Sequence, residues 1–391
     1  MRVLVCPQEF KGSLTAVEAA EALSAGVRSA VPDAEIDLCP LADGGPGTVN
    51  AVVGAMGGRF TMTNVDGPLG DPVAARWGRV DGEPVPKSLK AGRGQTAVLE
   101  MAAASGLALV PAECLDPRRA STSGTGQLIA AALDAGVRTI LIGVGGSATT
   151  DGGAGAVVAL GARLLDDAGR PLAPGGSALA QLARIELDGF DARVQKTELV
   201  VLADVRNPLV GADGASAVYG PQKGADAEAV VELERALTNF ADIVARDLSV
   251  GIVDLSGAGA AGGLAGGLVA FTGARIESGF EAVARAVGLQ RRARLADIVI
   301  TGEGTIDRQT GFGKAVAGVA AVAAAAGKPC LAVGGRVRDR NAVARIAGLS
   351  DVEAAAGDDL PDDVAMREAG SLVQRGAATL LTRWQEVSAQ A

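Results

Sequence analysis

The 391-residue chain contains no histidine. That absence removes the usual neutral-pH general base, every Ser-His-Asp or Cys-His nucleophile pair, and all histidine-ligated metal sites. Acid-base chemistry has to fall to Asp, Glu, Lys, Tyr or Cys. Aromatic residues are scarce too, with seven Phe, two Trp and one Tyr, too few to build the stacking platforms of a nucleic-acid groove. The formal net charge of -9 works against any polyanionic partner, so no nucleic acid is expected. The four cysteines, Cys6, Cys39, Cys114 and Cys330, form no CxxC pair, which excludes a zinc ribbon or a disulfide scaffold and leaves reduced, buried thiols as the expectation. The apolar run Val3 to Cys6 stops at Pro7, too short for a signal-peptide core, and no uncharged apolar stretch reaches membrane-spanning length. A cytoplasmic protein with no membrane partner is expected.

What the chain has in excess is glycine, at 55 residues. The glycines punctuate an alternation of short β-branched runs and longer Ala-rich windows, the pattern of an α/β fold with parallel sheets and covering helices. Strands are predicted at Val3 to Cys6, Glu35 to Pro40, Thr139 to Val144, Leu199 to Ala203, Ile298 to Thr301 and Cys330 to Val333. Thr15 and Glu18 make a capping box that opens a helix to about Val31. An amphipathic helix is predicted over Ala227 to Leu248. Asp66 to Pro72 reads as a turn cluster, and Asp81 to Gln95 as an exposed hairpin or loop. No fixed-period repeat is evident, which disfavours solenoids and propellers.

Five segments after predicted strands join small flexible residues to a carboxylate or a cation. They are Phe10-Lys11-Gly12-Ser13, Asp43-Gly44-Gly45-Pro46-Gly47-Thr48, Gly145 to Gly153, Asp204-Val205-Arg206-Asn207, and Gly302-Glu303-Gly304 with Asp307. In open α/β sheets ligands bind outside the carboxyl ends of the strands, so these segments gather on sheet rims. Glycine lets backbone amides approach an anion, and carboxylates beside such loops suit Mg2+. The combination points to phosphoryl transfer. Each loop taken singly is equally readable as a tight turn or a helix cap. No Walker A pattern is present. Gly257-Ala258-Gly259-Ala260-Ala261-Gly262 matches GxGxxG after a short strand expected at Ile252 to Leu255, a weak dinucleotide signal in so glycine-rich a chain.

Taken in order, these strings resemble the bacterial type 1 glycerate kinases. The resemblance runs from Phe10-Lys11-Gly12-Ser13-Leu14 and Ala42-Asp43-Gly44-Gly45 through Gly145-Gly146-Ser147-Ala148-Thr149, Asp204-Val205 with Asn207-Pro208-Leu209, and Gly220-Pro221-Gln222-Lys223-Gly224. It continues over Gly257 to Leu264 and Thr301-Gly302-Glu303-Gly304 to Gly313-Lys314. It implies two α/β domains: a discontinuous Rossmann-like domain from residues 1–75 and 290–391, and an inserted domain over 76–289, with the active site in the cleft. The implied activity is ATP-dependent phosphorylation of D-glycerate at the 2-hydroxyl. ATP and Mg2+ are the implied cofactors, and the oligomeric state is left open.

On this resemblance Asp204 or Asp151 is the candidate base, and Lys11 a catalytic cation. Ser13, Gly44, Gly45, Thr48, Gly145, Gly146, Ser147, Asn207, Gln222, Lys223, Gly259, Gly262 and Lys314 are candidate substrate or phosphate contacts. Asp43 and Glu303 stand near the metal. The sequence departs from the family pattern at Gln8 and Glu9, where Asp-Ser is usual, and at Pro46, Thr150, Thr305, Ile306, Arg308 and Val316. A kinase for a related hydroxy acid, a catalytically silent small-acid sensor, and a nicotinamide oxidoreductase resting on the GxGxxG match therefore stay open.

Overall fold

The structure, a computed structural model, describes residues 1–81, 94–311 and 315–388. The loop expected within Asp81 to Gln95 falls outside the described residues from 82 to 93, and so does Lys314. Thirteen strands are formed among the described residues: β1 (Arg2–Val5), β2 (Glu35–Leu38), β3 (Arg59–Asp66), β4 (Pro72–Asp81), β5 (Gln95–Glu100), β6 (Thr139–Gly143), β7 (Arg163–Leu165), β8 (Arg184–Glu186), β9 (Glu198–Leu202), β10 (Arg275–Glu277), β11 (Ile298–Ile306), β12 (Cys330–Val337) and β13 (Asp351–Ala354). They fall into two compact units, one of residues 1–43 with 280–391, the other of residues 44–279.

The first unit is a five-stranded sheet in the order β13-β12-β11-β1-β2, parallel throughout. Buried on both faces, β1 is apolar without alternation, as an inner parallel strand has to be; Val3 pairs with Ile298 on one side and Ile36 on the other. The helix Ala16–Ala30 starts at the predicted capping box, with Thr15 accepting from the Glu18 amide. Its Leu23 and Val27 join Val5, Ile300, Leu331 and Leu380 in one core. Strand β11 runs beyond the expected Thr301 to Ile306, because β12 continues beside it as far as Val337. The Gly302-Glu303-Gly304 motif therefore lies within a strand and not in a loop after one.

The second unit holds a six-stranded sheet, order β10-β9-β6-β5-β4-β3, and a small β7-β8 hairpin. Strands β6 and β9 are wholly buried, and β3 and β4 extend the parallel core as an antiparallel hairpin. Sequence periodicity left β3 and β4 unassigned. Their pairing places residues 44–75, grouped with the chain ends on sequence, in the second unit. The helix Ala227–Leu248 matches its predicted span and is capped by Asp226, which accepts from the Ala229 amide at 2.7 Å. Leu233, Leu237, Phe240 and Val244 form its fully buried stripe, and the Phe240 ring stacks on Phe271 at 6.4 Å. Burying one such aromatic side chain is worth about 2–3 kcal/mol. The strand expected at Ile252 to Leu255 does not form. Its chain is spent on turns, Ala258 donating to the Leu255 carbonyl and Gly259 to that of Asn207.

Candidate active site

In the first unit the parallel strands deliver a set of polar residues to their carboxyl ends. After β1 the chain continues along β11, with the Gln8 amide on the Gly302 carbonyl at 2.9 Å, and then closes a tight turn in which the amides of Ser13 and Leu14 return to the Phe10 carbonyl. The Ser13 hydroxyl is spent on that same carbonyl at 2.9 Å, so it braces the turn, while Lys11 is exposed. Gly304 packs against the Lys11 amide. Glu303 is 8% exposed and accepts the Thr310 hydroxyl at 2.7 Å; Thr310 also exchanges hydrogen bonds with Asp307. Burial and the Asp43 carboxylate raise the Glu9 pKa, and Lys11 draws it back. Glu9 and Asp43, both half-buried, therefore share one patch beside the exposed Lys11, and the two carboxylates are oxygen donors of the kind a hard divalent cation takes up, especially when phosphate oxygens complete its shell. Among the described residues no group of three Asp, Glu or Cys side chains is gathered as a ready-made cation cage.

In the second unit the Gly44-Thr48 loop lies on the carboxyl ends of β6 and β9. Gly44 has φ +89°, and a Cβ there would stand 2.5 Å from the Leu202 carbonyl oxygen, so only glycine fits. Its own carbonyl accepts the Gly145 amide at 2.9 Å, which clamps the two glycine loops together. Thr48 is fully buried, its hydroxyl on the Gly45 carbonyl. The helix Thr48–Ala55 that follows has no side-chain cap, and the Glu100 carboxylate accepts its Val49 amide at 2.6 Å. The amides of Gly45, Gly146 and Ser147 donate to no acceptor among the described residues. Adjacent amides left open in this way suit an anion.

The remaining candidates separate by what their side chains already do. Asp204, at the end of β9, accepts the Ser278 hydroxyl at 2.7 Å from the end of β10 and keeps partial exposure. Asp151 is fully buried and accepts from the Thr122 amide and hydroxyl and from the amides of Gly153 and Gly155. Burial raises its pKa and those four donors oppose the rise. Asp151 thus closes the loop internally. Asn207 is likewise engaged at both ends, its carbonyl oxygen taking the Tyr219 hydroxyl and its amide donating to the Asp213 carbonyl. Lys223 is 1% exposed and donates to the Thr149 carbonyl at 2.5 Å, whereas its neighbour Gln222 is exposed. A Cβ on Gly262 would stand 2.0 Å from the Thr149 carbonyl oxygen, and one on Gly259 2.2 Å from that of Pro208. The GxGxxG glycines therefore serve close backbone packing within this unit.

Sequence reasoning missed Glu9 as a partner of Asp43, Ser278 behind Asp204, Thr122 behind Asp151 and Thr310 behind Glu303. Only Thr310 had a local signal, three residues from Asp307; the others are brought together by strand order.

The family model described as the glycerate kinase family matches residues 3–385. A glycerate kinase of Bacillus subtilis (strain 168) is 47% identical over 88% of this chain and 87% of its own length, and the glycerate 2-kinase of Escherichia coli K12 is 44% identical over 90% of each. A crystal structure described as a glycerate kinase 2 from Salmonella typhimurium LT2 superposes with a TM-score of 0.79 at 43% identity, covering 100% of both chains.

Proposed function

The chain belongs to the glycerate kinase family, and from that premise we propose that it transfers the γ-phosphoryl group of ATP to the 2-hydroxyl of D-glycerate, giving 2-phosphoglycerate and ADP. The observation that carries this reading is the family match over residues 3–385, in a chain whose glycine loops leave the amides of Gly45, Gly146 and Ser147 open. Phosphoryl transfer asks a protein for positioning and charge stabilisation more than for covalent chemistry.

In the proposed mechanism those amides hold phosphate oxygens, and Lys11 offsets charge on the phosphates or on the substrate carboxylate. Lys314 is assigned the same role from the family motif. Asp204, held by Ser278, orients the attacking hydroxyl and accepts its proton, the task that histidine commonly has elsewhere. Asp43 and Glu303, with Glu9 beside Asp43, are the oxygen donors that fit Mg2+. The bound cation would neutralise charge on the phosphates. Asp151, Thr48, Ser13, Asn207, Gly259 and Gly262 support the loops without touching the substrate, and Gln222 supplies a hydrogen bond to it. The site of action proposed is the cytoplasm; no helix among the described residues is long and apolar enough to cross a membrane.

The test is ADP formation from ATP in the presence of Mg2+ and D-glycerate against a control without acceptor, with the product identified by phosphorus NMR. Glycerate-dependent turnover to the 2-phosphate supports the reading. Turnover with another small hydroxy acid but not glycerate would replace the acceptor, an alternative that Gln8 motivates by standing, 8% exposed, where the family usually has aspartate.

A further inference from the structure

We propose that Lys223 is a positioning residue that acts on the reaction through the Gly145–Asp151 loop and makes no contact with phosphate. The proposal rests on the kinase reading for its kinetic consequences alone. The Lys223 amine is sealed from solvent and holds the Thr149 carbonyl from behind. Thr149 lies between Ser147, whose amide is open, and Asp151, whose carboxylate closes the far end of the loop. One hydrogen bond from the amine therefore fixes the middle of a segment pinned at both ends. The amine is itself carried on a rigid turn, with the Lys223 amide on the Gly220 carbonyl and the Gly224 amide on that of Pro221.

This setting is unusual for a lysine. An ammonium has three donors, and here the Thr149 carbonyl is its one hydrogen-bond acceptor among the described residues. The adjacent Thr149 and Thr150 hydroxyls are fully buried and also find no hydrogen-bond partner among the described residues. Burial draws Lys223 down to about 7, with the Asp151 carboxylate pulling the other way. Of the charged groups on the neighbouring segments, Asp116 accepts the Arg118 amide, Arg118 pairs with Glu232 and Asp226, and Asp226 caps its helix. The amine thus changes charge near neutrality. The closed loop keeps the amine from water, so an opening that solvates it is favoured while the amine is protonated and opposed once it is neutral, and the loop is held more tightly above that point.

The experiment compares the full-length wild type with Lys223→Met, which keeps the chain length and removes the donor. Hydrogen exchange of residues 145–153 in ligand-free protein is expected to be about tenfold faster in the variant at pH 8. In the wild type it should rise between pH 6 and 8 by less than the intrinsic base-catalysed increase. Steady-state kinetics should show kcat lowered about tenfold with KM for ATP and D-glycerate changed less than threefold, and the inflection of kcat near pH 7 lost. Unchanged loop exchange, or a tenfold rise of either KM with kcat retained, overturns the proposal. If the variant does not fold, the wild type's own loop exchange against pH decides. If the wild type does not phosphorylate glycerate, the kinase reading fails while the ligand-free exchange still tests Lys223.

Discussion

Ser278 donates its hydroxyl to Asp204 Oδ1 at 2.7 Å, across the carboxyl ends of two neighbouring parallel strands. A carboxylate held by a hydroxyl from an adjacent strand keeps a fixed orientation, which a proton acceptor needs. Asp204→Asn keeps the shape of the side chain and removes its basicity. Its kcat should fall by about 100-fold or more, the scale of general-base catalysis, while the melting temperature stays within a few degrees of wild type. Near-normal kcat would remove Asp204 from the chemistry. Ser278→Ala should give a smaller loss, with KM little changed.

Asp151 should behave in the opposite way. Four donors converge on its buried carboxylate, so Asp151→Ala leaves them unsatisfied and should cost about 3–5 kcal/mol in urea unfolding. The pH dependence has a definite sign. Its folded pKa is raised, chiefly by burial, so the folded state binds the proton more tightly than the unfolded chain. The resulting stability is fully present below the unfolded value and is lost as pH rises through the folded one. Relative to Asp151→Asn, wild-type stability should therefore increase on acidification below neutrality.

Lys223 gives the mirror image. Its folded pKa of about 7 lies below the ordinary lysine value, so between the two the unfolded chain carries the extra proton and stability rises with pH. The difference in melting temperature between wild type and Lys223→Met should shift in favour of the wild type on going from pH 7 to 9. A constant difference would contradict this.

Gly44→Ala tests the clamp between the two glycine loops. The positive φ and the 2.5 Å approach to the Leu202 carbonyl both oppose a methyl group, and a loss of more than about 1 kcal/mol in stability is expected. Activity should fall further than stability, because the displaced loop carries the Gly45 amide. Wild-type kcat in a folded Gly44→Ala protein would show that the loop's position is immaterial.

Gln8→Asp adds a carboxylate beside Glu9, which already shares its patch with Asp43. The expected result is half-maximal activity at a lower Mg2+ concentration, read from initial rates over a metal titration. An unaltered titration would place residue 8 beyond the reach of the cation.

Features with a local cause were legible in the sequence. The Thr15–Glu18 capping box and the 22-residue helix from Ala227 to Leu248 formed as expected, since each depends on residues within one or two turns. The glycine loops were legible as a class, and strand order explains why they lie at sheet rims. What sequence could not supply was the direction of buried side chains. Asp151 and Asp204 look alike in the chain, yet one is enclosed by four donors and the other keeps exposure. The missing strand at Ile252 to Leu255 and the unexpected β3-β4 hairpin have the same origin. Short apolar runs take their conformation from whichever neighbour offers backbone partners.

The pairing of β1 with β11 joins residues almost 300 positions apart, from the Cys6 amide on the Ile300 carbonyl to the Arg2 amide on Asp297. During synthesis the first 43 residues leave the ribosome long before their central partner strand exists, whereas residues 44–279 form a contiguous unit able to fold as soon as it emerges. Until β11 is made, the N-terminal segment, which carries Lys11, Glu9 and Asp43, offers β1 only β2 as a strand partner, and the other edge of apolar β1 stays unpaired. Closing so long a loop late makes that step slow and exposed to aggregation. The order in which the chain is made thus leaves the unit that carries Lys11, Glu9 and Asp43 to close last.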